Sequence, residues 1–168
     1  MKKYFSLVLF AHTIFALPFA IIGFFLGVTT TDASFSWIKF LLMLGCMVFA
    51  RNSAMAFNRY LDRDIDARNP RTQVRDIPAG KIAAKSALLF TIFNSLLFIF
   101  CTFFINKLCF FLSPVALLVV LGYSYTKRFT ALCHLILGLG LSLAPIGAYL
   151  VVTGQFAFLP ICFSLAVL

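Results

Sequence analysis

The amino-acid sequence predicts an all-α fold, a polytopic bundle of transmembrane helices, on three observations. Hydrophobic residues make up 62% of the chain and charged residues only 11%, against about 25% charged in ordinary soluble domains. Apolar runs recur at lengths close to the roughly 20 residues that cross a bilayer at about 1.5 Å each. The polar intervals between them are short, except for one over residues 58–81. A soluble fold would need far more polar surface to cover its core, so residues 1–168 are expected to form one domain embedded in a lipid bilayer.

The first apolar run covers residues 5–28, behind Lys2 and Lys3. It is longer than a signal-peptide core and ends without a small-residue cleavage pattern, so it reads as a span. The second run, 35–57, carries Lys39, Arg51 and Asn52. A charge at a helix centre costs about 2.5–3.5 kcal/mol on insertion scales, which implies a purpose or a watery cavity. Runs over 83–105, 108–125 and 131–152 supply three more spans. The last run, 156–168, is shorter than a span and no polar tail follows it, so the chain is expected to stop inside a sixth helix. Pro18, Pro114, Pro145, Gly23, Gly138, Gly140 and Gly147 lie within these runs, where they predict kinks and close packing.

Charge is concentrated. The chain has no Glu, and its five Asp are Asp32, Asp62, Asp64, Asp66 and Asp76. Lys and Arg number 14, for a formal charge of +9, and most of them lie between Arg51 and Lys85, around the acids. With spans on either side, topology and anionic substrates explain this excess better than nucleic acid, which is set aside. Lys2, Lys3, the cations of residues 59–85, Lys127 and Arg128 share one side, and Lys39 and Lys107 the other. The positive-inside rule then puts the N-terminus and the acids in the cytoplasm. Cys46, Cys101, Cys109, Cys133 and Cys162 show no C-x-x-C spacing and are odd in number, so they read as packed or lipid-facing residues. His12 and His134, on separate apolar helices, read as packed side chains outside any site.

At 100° per residue a helix sets Asn58, Asp62 and Asp66 at about 0°, 40° and 80°, on one face, with Arg51 about 20° from Asn58 and Asp64 pointing away. Hard oxygen donors at this spacing suit Mg²⁺, which takes one or two carboxylates plus waters and substrate phosphates. A diphosphate would complete that shell, with Arg51, Arg59, Arg63, Arg68, Arg71, Arg75, Lys127 and Arg128 as candidate donors to its oxygens. The plainer reading pairs Asp62 and Asp66 with Arg59 and Arg63 on a solvated helix end. For Arg68, Arg71 and Arg75 a purely topological role stays as open as substrate binding.

The segment Asn58-Arg59-Tyr60-Leu61-Asp62-Arg63-Asp64-Ile65-Asp66 resembles the N-x-x-x-D-x-x-x-D motif of the UbiA-type intramembrane prenyltransferases. Arg51 to Met55 resembles the family's approach to that motif, and residues 66–72 and 75–80 its following loop. Tyr123-Ser124-Tyr125-Thr126-Lys127-Arg128 is similar to its Y-P-x-x-K-R element, with Ser124 in place of the usual Pro. The likeness covers essentially the whole chain and is nearest to the 4-hydroxybenzoate polyprenyltransferases and their relatives in menaquinone synthesis. It implies a fold of about nine helices, of which these residues would be the first five to six. It implies Mg²⁺ held by Asn58, Asp62 and Asp66 as the catalytic cluster, and a polyprenyl diphosphate held by Arg51, Arg59, Arg63, Arg71, Lys127 and Arg128. A small aromatic acid would accept the prenyl group in ubiquinone or menaquinone biosynthesis at a bacterial inner membrane. Tyr123 and Tyr125 would line the acceptor or cation region, or serve as interfacial belt residues. The family's second acidic motif, in a later loop, has no counterpart here, since no acid follows Asp76.

Two other classes compete with this reading. A CDP-alcohol phosphotransferase also sets aspartates at a membrane face, but its D-G and G-x-x-x-D-x-x-x-D signature is missing from this sequence. A non-catalytic membrane module, binding prenyl diphosphate at most, is the alternative that the single acidic motif leaves standing.

Overall fold

A computed structural model describes residues 10–130 and 132–168, with side chains from residue 16 onward. The described chain forms six α-helices: α1 (Phe10–Thr30), α2 (Trp37–Arg68), α3 (Ala84–Ile105), α4 (Lys107–Thr126), α5 (Cys133–Thr153) and α6 (Phe158–Val167). Helices α2 to α5 are each long and apolar enough to cross a membrane. The expected spans match these helices to within a few residues, apart from residues 5–9 and the side chain of His12, which lie outside the described part.

The exception is α2. The apolar run ends at residue 57 and residues 58–81 read as a polar connection, with a helical face expected for Asn58, Asp62 and Asp66; the helix in fact runs unbroken to Arg68, through 32 residues. At about 1.5 Å per residue it is about 48 Å long, against a hydrocarbon core of about 30 Å. Roughly its last dozen residues therefore project beyond the apolar slab, and these carry Asn58, Asp62 and Asp66. A hydropathy pattern stops where a helix leaves lipid, whereas the hydrogen-bond ladder does not.

Helix α2 packs chiefly on α3, α1 chiefly on α5, and α4 lies against α5, α3 and α2. The main core, which includes Phe24, Met43, Cys46, Ile105, Cys109, Ala148 and Val151, gathers in the half of the bundle remote from the acids. A smaller cluster of Ala56, Ile82 and Ala87, with Tyr60, Ile77 and Phe90 against it, supports the 69–83 loop from below. Outward faces carry Phe93, Leu96, Phe100, Phe103, Phe111 and Leu118, which suits lipid contact. Since lipid offers no hydrophobic drive for helix association, small polar residues at the contacts supply packing and hydrogen bonds. Buried Ser53 and Asn94 bond between α2 and α3 in that role, to Thr91 O and from Asn52 Nδ2, and buried Thr91, Ser113 and Ser124 supply small side chains for packing.

The remote end explains the costly Lys39. Its Nζ donates to the Val152 carbonyl at 3.0 Å, and Asn106 Nδ2 donates to Leu150 O at 2.8 Å. Lys39 thus satisfies a carbonyl that the last turn of α5 cannot pair internally, while Asn106 adds a second donor to Leu150 O, which also accepts from the Gly154 N–H. Asn106 also caps the start of α4, its Oδ1 accepting from the Cys109 N–H at 2.8 Å. Gly154, at φ 66°, lets the chain turn out of α5 in the left-handed region. All five cysteines are free thiols.

Candidate functional site

The projecting end of α2 meets two loops. From the α4–α5 connection, Lys127 Nζ donates to both Asn58 Oδ1 and Asp62 Oδ2, so one ammonium bridges the first two positions of the motif. Beside it, Arg128 Nη2 donates to the Leu61 carbonyl and stands 3.9 Å from Asp62 Oδ1. Asp62 is only 8% exposed, and its Oδ1 is buried without a hydrogen-bond partner.

From the α2–α3 loop comes a separate cation. Arg75 Nη1 lies 2.9 Å from each oxygen of Asp66, a bifurcated ion pair on a carboxylate that is itself buried. Local turns deliver it: Thr72 and Gln73 N–H groups bond to Asn69 O, Arg75 N–H bonds to Thr72 O, and Thr72 Oγ1 donates to Asp66 O. Gly80, at φ 70°, then allows Lys81 and Ile82 N–H groups to close back onto Asp76 O.

The expected site residues divide accordingly. Asn58 and Asp62 come together under Lys127 and Arg128, while Asp66 sits on the same helix face but under Arg75. Arg51 is half-buried two turns down that face, with Nε unpaired and Tyr123 within electrostatic reach. Tyr123 also feels the charge of Asp62. Arg59 is half-buried and within electrostatic reach of Asp66, Asp76 and Arg75. Arg63 is turned elsewhere: it donates to Tyr60 O at 2.9 Å, lies over the Tyr60 ring and is 3.7 Å from Asp64. Arg71 is exposed in the loop, its N–H bonded to Asn69 Oδ1. Tyr125 is also exposed, its ring against Phe57 at 5.7 Å. The residue whose role sequence reasoning left open is Arg75, one of three loop arginines that spacing alone could not rank.

Among the described residues no three His, Cys, Asp or Glu side chains converge as a metal site. The donors at the tip of α2 are instead two carboxylates and an amide, all hard oxygens, of the kind that Mg²⁺ takes alongside water and phosphate. Asp62 Oδ1 is a buried acceptor with capacity to spare, and Asn58 Oδ1 and Asp62 Oδ2 already converge on one cationic centre. These residues fit a divalent cation.

The family model for the UbiA prenyltransferase family matches residues 10–168. The chain belongs to this family. Among UbiA-family relatives, the 4-hydroxybenzoate octaprenyltransferase of Neisseria meningitidis serogroup B is 36% identical over 105 residues, which cover 62% of this chain and 36% of that protein. A UbiA homolog from Aeropyrum pernix K1, solved in its apo form, superposes with a TM-score of 0.79 at 31% identity, covering 92% of this chain and 55% of its own. A UbiA homolog from Archaeoglobus fulgidus, bound to GPP and Mg²⁺, gives a TM-score of 0.76 at 24% identity, covering 98% and 58%. The chain thus spans between about a third and three-fifths of these UbiA proteins.

Proposed function

We propose that the chain takes part in Mg²⁺-dependent transfer of a polyprenyl group from a polyprenyl diphosphate to an aromatic acid of the 4-hydroxybenzoate type. The observation that supports it is the meeting of Asn58, Asp62 and Asp66 on one helix face with Lys127, Arg128 and Arg75 delivered from two loops. Mg²⁺, when bound, would supply charge neutralisation on the leaving diphosphate. Asn58, Asp62 and Asp66 would hold it. Lys127 and Arg128 would donate charge-assisted hydrogen bonds to the diphosphate oxygens, and Arg51 and Arg59 are further donors in this reading, whereas Arg63, turned to Tyr60 and Asp64, and the exposed Arg71 are not. As the allylic C1–O bond breaks, the aromatic ring attacks C1, a carbon–carbon bond forms and the ring loses a proton. Tyr123, near Asp62 and Arg51, is better placed to face the allylic cation than the outward Tyr125.

The acceptor class is supported by the name of the Neisseria relative, and the metal and diphosphate by the ligands of the Archaeoglobus homolog. That acceptor belongs to ubiquinone biosynthesis, or to menaquinone biosynthesis for a naphthoate analogue. The multi-pass helices and the basic residues at the acidic end support a bacterial inner-membrane location with the site facing the cytoplasm.

The test is binding of a prenyl diphosphate analogue in Mg²⁺ by membranes containing the chain. Asp62→Ala and Asp66→Ala are each expected to abolish binding, and undiminished binding by both variants would overturn the proposal.

A further inference from the structure

Lys127 does more here than stand near the acids. Its ammonium donates to Asn58 Oδ1 and Asp62 Oδ2 together, two of the oxygens that a divalent cation would need. Oxygen lone pairs turned to an N–H donor are not free for a metal, and an ammonium at hydrogen-bond distance from them would stand within a few ångströms of a dipositive ion. At such a separation even a pair of like unit charges repels strongly where solvent screens them poorly. The two cations therefore exclude one another.

We infer that Lys127 is a tethered counter-cation whose departure from Asn58 and Asp62 couples metal binding to diphosphate binding. This inference rests on the proposed diphosphate chemistry. Lys127 lies at the very end of α4, with Arg128 and Phe129 in the turn beyond it, so a long flexible side chain can swing while its backbone stays fixed. Metal entry displaces the ammonium, and the diphosphate oxygens of the substrate offer it a new partner. Either ligand alone meets an obstacle: the metal must displace a salt bridge, and the diphosphate must draw Lys127 from Asp62 and leave a buried carboxylate uncompensated. Bound together, each removes the other's obstacle.

The experiment measures Mn²⁺ binding to the full chain in lipid nanodiscs by electron paramagnetic resonance, with and without a non-reactive prenyl thiodiphosphate. Lys127→Met is expected to tighten Mn²⁺ binding about tenfold without the thiodiphosphate and to abolish most of the further tightening that it confers on the wild type. Lys127→Arg, keeping the charge, is expected to restore weak Mn²⁺ binding and the coupling. Lys81→Met, removing an equal charge from the exposed neighbouring loop, is expected to change Mn²⁺ affinity less than twofold. Equal Mn²⁺ affinity in wild type and Lys127→Met, or an equal gain from Lys81→Met, overturns the inference. Failure of the wild type to bind the thiodiphosphate in metal counts instead against the proposed function, while the Mn²⁺-only comparison still decides the competition. Should Lys127→Met misfold, Lys127→Gln, which keeps a hydrogen-bond donor without the charge, carries the same expectation.

Discussion

Arg75 reaches back nine residues to Asp66 and places one guanidinium nitrogen 2.9 Å from both carboxylate oxygens. Asp66 is buried while Arg75 is half-exposed, so the two partners contribute unequally. The carboxylate is desolvated and depends on the pair, and the arginine has water as an alternative. The pair also ties the loop to the last turn of α2, alongside the Thr72 hydroxyl bond to Asp66 O.

Arg75→Ala should therefore loosen the loop more than it destabilises the bundle. The expected global loss is about 2 kcal/mol, between the values for exposed and fully buried ion pairs. Backbone amides at Thr72, Gln73, Arg75 and Lys81, all hydrogen-bonded within the loop, should exchange with solvent distinctly faster, while those of α4 and α5 stay unchanged. Hydrogen exchange read by mass spectrometry decides it, and unchanged loop amides would show that Arg75 only balances charge.

Between α2 and α3 runs a polar seam below the acids. Asn52 Nδ2 donates to Asn94 Oδ1 at 3.2 Å, Ser53 Oγ to Thr91 O at 3.3 Å and Ser95 Oγ to Ser53 Oγ at 3.2 Å. Hydrogen bonds between membrane helices contribute about 0.6 kcal/mol on average, but an orphaned buried amide costs about 1–3 kcal/mol. Asn94→Leu should lower thermal stability in detergent by the larger amount. The double variant Asn52→Leu with Asn94→Leu should recover most of the loss, because neither helix is then left with an unpaired amide. A double variant as unstable as the single one would locate the cost in packing.

The helices were legible because length and apolarity jointly specify a span, and α3, α4 and α5 begin and end within about two residues of expectation. The last third of α2 was legible only through the helical spacing of its acids, because residues 58–68 are polar and their helicity comes from continuing an established ladder. In the site, the shared face of Asn58, Asp62 and Asp66 followed from the 3.6-residue period. The partner of Asp66 did not, since Arg68, Arg71 and Arg75 differ only by how the turns from Asn69 to Arg75 redirect the chain. Lys39, read from the sequence as an expense that implied a purpose or a watery cavity, proved to be paired across 113 positions with Val152 O, a contact that no local pattern contains.

That contact yields its own expectation. Lys39→Met keeps the apolar stem and removes the donor, leaving the Val152 carbonyl without its side-chain cap and the α5 dipole without its cation. A loss of about 0.3–1 kcal/mol is expected, with local fraying of the final turn of α5 in hydrogen exchange. Lys39→Arg, which can donate to the same carbonyl, should behave as wild type. Fraying in both variants would mean that side-chain shape at this position matters more than the donor.

Two glycines in equally apolar helices should respond in opposite ways to the same methyl group. At Gly23 a Cβ would sit 2.1 Å from Pro145 O and 2.7 Å from Pro145 Cα, both backbone atoms of α5. Neither can move without displacing a helix, and α1 rests chiefly on α5. At Gly147 a Cβ would meet nothing within 4 Å. Gly23→Ala should therefore force α1 and α5 apart, at a cost at or beyond the about 1–3 kcal/mol typical of overpacking. Gly147→Ala should be neutral or stabilise α5 by up to about 1 kcal/mol through helix propensity. Thermal unfolding of the two variants side by side checks the pair, and a tolerated Gly23→Ala would show that α1 does not cross α5 at this closest point.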